Sequence, residues 1–163
     1  MALSTMHIQA ALPEDIETLT SIAFAAKRHW SYPETWIQAW ADELTFTEND
    51  LHTQHVFKAI SNDRAVGVYA LKIEETEAEL VALWILPEFM KRGIGRALVK
   101  HAESTAISNG ATRLTLLSDP HAEGFYLNIG ASVYGQQPAS MDDQPRFLPL
   151  IEKRLKGDQS STG

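Results

Sequence analysis

The chain has 163 residues, 44% of them hydrophobic and 21% charged, a composition that builds a buried core without covalent staples. Asp and Glu number 21 against 14 Lys and Arg, and the net charge of −7 argues against a broad nucleic-acid-binding surface while leaving room for a local basic patch. The absence of cysteine excludes disulfide frameworks, Cys-ligated zinc, iron–sulfur clusters and a Cys nucleophile.

No stretch approaches the roughly 20 apolar residues that span a bilayer, and the first eleven residues lack the basic start and long apolar run of a secretory signal. A cytoplasmic protein without a membrane partner is expected. No internal linker or repeat is visible, so one domain is expected over residues 1–156. The polar run 157–163 reads as a disordered tail.

In chain order, Met6 to Ala10 predicts a short strand. Pro13-Glu14-Asp15 opens a helix, since proline suits the first turn and acids suit the positive dipole end. Ile16, Leu19, Ile22, Ala23 and Ala26 continue it at helical spacing. After the break at Tyr32-Pro33, Trp36, Trp40 and Leu44 recur every fourth residue and predict a second helix. Val56 to Ile60 and Val66 to Ile73 predict a hairpin about the turn Ser61-Asn62-Asp63-Arg64. An acidic connection, Glu74 to Glu77, leads to an apolar strand from Leu80 to Leu86. A long helix is predicted from Gly95 to Ser108, stopped by Asn109-Gly110. Then come a strand at Leu114 to Leu117, a short helix from Pro120 to Ile129, and strands at Val133 to Gln136 and Phe147 to Ile151. This order fits an α/β (α+β) fold around a mostly antiparallel sheet of six to seven strands better than an alternating parallel sheet.

The chemistry concentrates where the apolar strand runs through Pro87 into Met90-Lys91-Arg92-Gly93-Ile94-Gly95-Arg96 and on into the long helix. The first N–H groups of a helix lack internal partners and lie at its positive end, and glycines let that backbone approach a bulky anion. Lys91, Arg92 and Arg96 add positive charge, although a solvated helix start is the plainer alternative. Together these residues form a candidate phosphate cradle. The P-loop and dinucleotide patterns both fail: Arg96-Ala97 follows Gly95 where Lys and Ser or Thr are needed, and Leu98 stands at the third glycine of the fingerprint.

This segment resembles the Gcn5-related N-acetyltransferase (GNAT) superfamily, in which a strand ending in proline precedes a Gln/Arg-x-x-Gly-x-Gly/Ala loop and a helix. Gly93 and Gly95 match, and Met90 departs at the first position. A second stretch also resembles the family, which often carries Asn-x-x-Ala-x-x-Phe/Leu-Tyr-x-x-x-Gly-Phe on the following helix. Ala122, Phe125, Tyr126 and Gly130 match; Asp119 and Ala131 depart. The resemblance covers residues 6–151 and implies the GNAT fold, about four helices flanking the sheet, and acetyl-CoA as cofactor.

By that resemblance the pyrophosphate lies on Lys91, Arg92, Gly93, Ile94, Gly95 and Arg96. The backbone of Leu83, Trp84 and Ile85 pairs with the pantetheine arm, and Asp119, Ala122 and Phe125 add contacts. Tyr126 is the implied general acid for the departing thiolate. A core tyrosine is its bland alternative. The base is less defined: Glu79 is the favoured carboxylate, with His29 and His121 also suited by intrinsic pKa. The acceptor side falls to His29, Trp30 and Tyr32, the two aromatics forming a wall around a cation. Trp36 and Trp40 read as core. No metal is expected, because the six His show no ligand spacing.

The expected function is transfer of an acetyl group from acetyl-CoA to a primary amine of a small molecule. A protein or peptide amine is a second acceptor class, and a non-catalytic acyl-CoA-binding domain is the alternative. An exposed edge strand near the C-terminus offers a route to a homodimer.

Overall fold

The computed structural model describes residues 6–156. The expectation for residues 157–163 lies outside the described residues. Seven strands pair in the order β1-β2-β3-β4-β5-β7-β6: β1 (Met6–Ala10), β2 (His55–Ser61), β3 (Arg64–Glu74), β4 (Glu77–Ile85), β5 (Arg113–Leu117), β6 (Ser132–Pro138) and β7 (Phe147–Arg154). The β1–β2, β5–β7 and β6–β7 pairs are antiparallel and β4–β5 is parallel. This is the mixed, mostly antiparallel sheet anticipated from the order of elements.

The chain gathers into two compact units. The first comprises the described residues through Ala70 together with Ala82–His101. It holds β1, β2, most of β3, the end of β4, and the helices α1 (Ile16–Arg28), α2 (Glu34–Ala39), α3 (Ala41–Leu44) and α4 (Glu48–Thr53). Its core clusters Leu19, Ile22 and Ala23 of α1 with Ile37, Leu44, Phe46, Val56, Val68 and Ala70. Each such large aliphatic contributes about 1.5–3 kcal/mol by leaving water. The half-buried pair Lys58–Asp15 (2.7 Å) fastens β2 to the turn at Pro13–Asp15, where Asp15 also accepts the Leu12 N–H at 2.8 Å.

The predicted second helix is divided. Trp40 leaves helical geometry (φ −92°, ψ 6°) and separates α2 from α3. The four-residue spacing persists across the break, with Trp36 and Leu44 buried. Helix α4 went unread in the sequence although it carries its own signature: Thr47 accepts from the Asp50 N–H, and Asp50 reaches back to the Thr47 N–H at 2.9 Å.

The second unit comprises Leu71–Val81 and the described residues from Ala102 on. It holds the β3–β4 turn, β5, β6, β7 and α6 (Glu123–Asn128). The acidic connection is a tight turn with Glu75 at φ 55°, so β4 starts earlier than predicted, at Glu77. Along β4, Ala78 and Leu80 are buried while Glu77, Glu79 and Val81 are exposed, the alternation of a half-covered strand. The long helix α5 (Ile94–Ser108) begins in the first unit and ends in the second, where Gly110 (φ 90°) terminates it as the sequence indicates. Among the described residues no helix is long and apolar enough to cross a membrane.

Candidate active site

In the first unit, Leu86 N–H donates to the Val66 carbonyl at 2.9 Å and ends β4 against β3. Pro87–Phe89 then form one 3-10 turn, closed by Phe89 N–H on the Leu86 carbonyl at 2.8 Å. Lys91 (φ 62°) and Gly93 (φ 85°) both take the left-handed region, turning the chain twice within three residues. For a lysine that conformation costs energy, and such strain gathers at functional loops. Gly93 carbonyl accepts the Ala97 N–H at 3.0 Å, opening α5. The N–H groups of Ile94, Gly95 and Arg96 therefore precede the first intrahelical donor.

Three apolar residues anchor this helix start: Ile94, Leu98 and Val99 are buried. Lys91, Arg92, Gly93 and Arg96 remain exposed around it. A Cβ placed on Gly93 would meet nothing within 4 Å, so the space above the turn is open. Phe89 holds two guanidinium groups over its ring, Arg92 at 5.1 Å and Arg64 at 5.6 Å. Arg64, on the opening of β3, is a basic residue of this patch that sequence spacing did not reveal, since it is far away along the chain.

Leu83, Trp84 and Ile85 are half-buried at the end of β4. The parallel ladder of β4 with β5 comprises Glu77↔Arg113, Ala78↔Leu114 and Glu79↔Thr115, and the strand runs on to Ile85 beyond that register. Glu79 occupies the last rung as an exposed carboxylate.

In the second unit, Ser118 is buried and its N–H donates to the Pro149 carbonyl of β7 at 2.9 Å, fixing the end of β5. Asp119 follows as a cap: it accepts the His121 N–H at 2.9 Å and lies 2.8 Å from His121 Nδ1. Ala122 and Phe125 are half-buried. Tyr126, on α6, is buried, with the Phe125 ring edge-on at 5.0 Å. Burial pushes its phenol above the usual tyrosine range, so Oη keeps its proton throughout neutral and mildly alkaline pH.

The aromatic wall takes a different form from the one expected. Trp30 packs edge-on against His29 at 4.6 Å, and both are exposed. Tyr32 joins Trp36 (5.9 Å) and Trp40 (5.0 Å). The cation in this group is the protein's own: Lys27 Nζ lies 4.4 Å from the Trp40 centroid, 5.1 Å from Tyr32 and 6.0 Å from Trp84. The sequence marks Trp40 as core but gives no sign that it meets Lys27 and the Trp84 side chain, because the three come from α1, the α2–α3 junction and β4 with no shared period. Arg28 and Glu34 brace the connection between α1 and α2 with a two-point contact at 2.8 and 3.1 Å, holding the Glu34 carboxyl down to about 2.

The sequence profile of the acetyltransferase (GNAT) family matches residues 20–131. Spermidine N(1)-acetyltransferase of Thermoplasma acidophilum is 24% identical over 93% of this chain and 99% of its own. Among solved structures, the PaiA N-acetyltransferase of Thermoplasma acidophilum in complex with coenzyme A is 24% identical, covers 92% of this chain and 99% of its own, and superposes with a TM-score of 0.76. A GCN5-related N-acetyltransferase from Rhodopseudomonas palustris is 24% identical over 95% and 99% of the two chains, with a TM-score of 0.79. The fold is that of the GNAT acyltransferases. The chain belongs to the acetyltransferase (GNAT) family and is an N-acetyltransferase, with acetyl-CoA as the family's acetyl donor.

Proposed function

We propose that this protein transfers an acetyl group from acetyl-CoA to a primary amine of a small molecule, as one acetyltransferase domain over residues 1–156. The observation that carries this reading is the turn at Lys91–Gly93. It combines a left-handed glycine with open space above it, the first N–H groups of a fifteen-residue helix, and exposed cations. A pyrophosphate fits such a site: main-chain N–H groups of Ile94, Gly95 and Arg96 donate to its oxygens, and Lys91, Arg92 and Arg96 balance its charge. The main-chain groups of Leu83, Trp84 and Ile85 would hold the amide-rich pantetheine arm as an added strand holds a peptide. Asp119, Ala122 and Phe125 are further proposed contacts.

When bound, acetyl-CoA supplies an activated thioester. Tyr126 holds a proton at Oη and is proposed as the general acid for the sulfur that leaves. Removal of the amine proton is assigned to Glu79, an exposed carboxylate open to water. His29, Trp30 and Tyr32 line the proposed acceptor side. The amine substrate named for the Thermoplasma relative is consistent with an amine acceptor.

The test is release of free thiol from acetyl-CoA against a panel of small amines, peptides and lysine-bearing proteins. Turnover on small amines supports the reading. Turnover on peptides alone moves the acceptor class, and thermal stabilisation by CoA without turnover on anything marks a binding domain.

A further inference from the structure

Within the first unit, Phe89 gathers two arginines that lie far apart along the chain. Arg92, in the loop before α5, holds its guanidinium 5.1 Å from the ring centroid, and Arg64, the first residue of β3, holds its own at 5.6 Å. Both side chains are exposed. Two like charges held at one ring repel, and the attraction of each to the ring offsets only part of that. Glu88 meets Arg64 at 3.4 Å, a long contact between groups more than half exposed and therefore weak in water. Arg92 has no ion pair among the described residues. Such a local surplus of cations, in a chain of net charge −7, asks for an anion.

The diphosphate proposed above takes the N–H groups of Ile94, Gly95 and Arg96 and the cations of its own loop. It leaves Arg64 without a role. Coenzyme A carries one further anion, a phosphate monoester at the 3′ position of the sugar that bears the diphosphate at 5′. That group holds about two negative charges at neutral pH and three acceptor oxygens. Two guanidinium forks suit it, because each presents paired donors to phosphate oxygens. Both phosphate groups hang from one sugar, so the monoester lies next to the loop that holds the diphosphate. Arg92 belongs to that loop, and its guanidinium is turned onto Phe89, the ring it shares with Arg64.

We propose that Arg64 and Arg92, set by Phe89, form the subsite for the 3′-phosphate of the acetyl donor. The enzyme then discriminates coenzyme A from its 3′-dephospho form, and Arg64 is a specificity-determining residue for the donor. The inference rests on the placement of the diphosphate at the Lys91–Gly93 turn and extends that site to a second phosphate.

The experiment is titration calorimetry of the full chain with CoA and with 3′-dephospho-CoA, which differ in this one phosphate. Wild type is expected to bind CoA about tenfold more tightly, as two exposed charge contacts allow. Arg64→Gln should cut that ratio about threefold by weakening CoA binding. Its affinity for 3′-dephospho-CoA should stay at the wild-type value, which also shows that the variant is folded. A ratio near one in wild type overturns the inference, as does a ratio that Arg64→Gln leaves intact. An equal loss for both ligands in Arg64→Gln overturns it too, since the 3′-phosphate would then not be what Arg64 meets. Failure of the loop reading looks different. A ratio that depends on Arg64, while Gly93→Asp leaves both affinities unchanged, faults the diphosphate placement and keeps the 3′-phosphate subsite.

Discussion

The Tyr69 hydroxyl lies 2.7 Å from His101 Nδ1, joining the fully buried centre of β3 to the middle of α5. Phe57 stacks on Tyr69 at 5.4 Å and tilts against the imidazole at 4.6 Å. A polar pair placed among such rings fixes how α5 sits on β3 within the first unit. The same helix presents Ile94, Gly95 and Arg96 at its start, so this packing also orients the proposed phosphate donors.

Burial lowers the pKa of His101, because the interior disfavours the imidazolium. The folded value lies below the unfolded value of about 6.5, so the unfolded state binds more protons between the two. Stability is therefore complete above about pH 6.5 and declines as pH falls through the depressed folded value. Urea titrations from pH 8 to 5 should show a steeper loss for wild type than for His101→Gln. Equal slopes would remove His101 from the account.

Gly67 sits in a crowded part of β3. A Cβ there would meet Ile85 Cδ1 at 3.0 Å, Leu98 Cδ1 at 3.1 Å and the Trp84 carbonyl oxygen at 3.3 Å. Two of these are side-chain ends and can shift, while the backbone oxygen has less freedom. Gly67→Ala is expected to cost about 1–3 kcal/mol, read as a lower denaturation midpoint with unchanged slope. A neutral result would mean that β4 and α5 yield more readily than their packing implies.

Gly93→Asp separates stability from binding. The open space around Gly93 predicts no clash, and the left-handed φ costs about 1 kcal/mol for a residue with a Cβ. The added carboxylate would occupy the proposed phosphate position with like charge. Calorimetry should find the fold nearly as stable and CoA affinity reduced at least about a hundredfold, beyond what one lost hydrogen bond explains. Retained affinity would move the phosphates away from this loop.

Much of this was legible from the chain. The loop around Gly93 and Gly95 was readable because it is continuous in sequence and its glycines mark the turn directly. The hairpin at Asn62-Asp63 was readable for the same reason, both residues taking the positive φ that such turns require. The division of α2 from α3 was hidden, since Trp40 breaks the helix without disturbing the apolar period. The Lys27 group was hidden more deeply. Its members lie on α1, after α1, on the α2–α3 junction and on β4, and only folding brings them together. Arg64 joined the basic patch through Phe89, a contact no local pattern encodes.

Tyr126→Phe tests the proposed acid. Removing Oη from a buried ring leaves packing intact, so kcat should fall about a hundredfold, the lower range for general acid catalysis, with CoA binding unchanged. Because burial raises the phenol's pKa, wild-type kcat should show no alkaline decline from Tyr126 below about pH 10. Unchanged turnover in the variant would assign the tyrosine to the core alone.

The most direct measurement is a crystal structure with acetyl-CoA. The account predicts pyrophosphate oxygens at hydrogen-bond distance from the main-chain nitrogens of Ile94, Gly95 and Arg96, with Lys91 and Arg92 beside them. Pyrophosphate density elsewhere, with this turn facing only solvent, would contradict it.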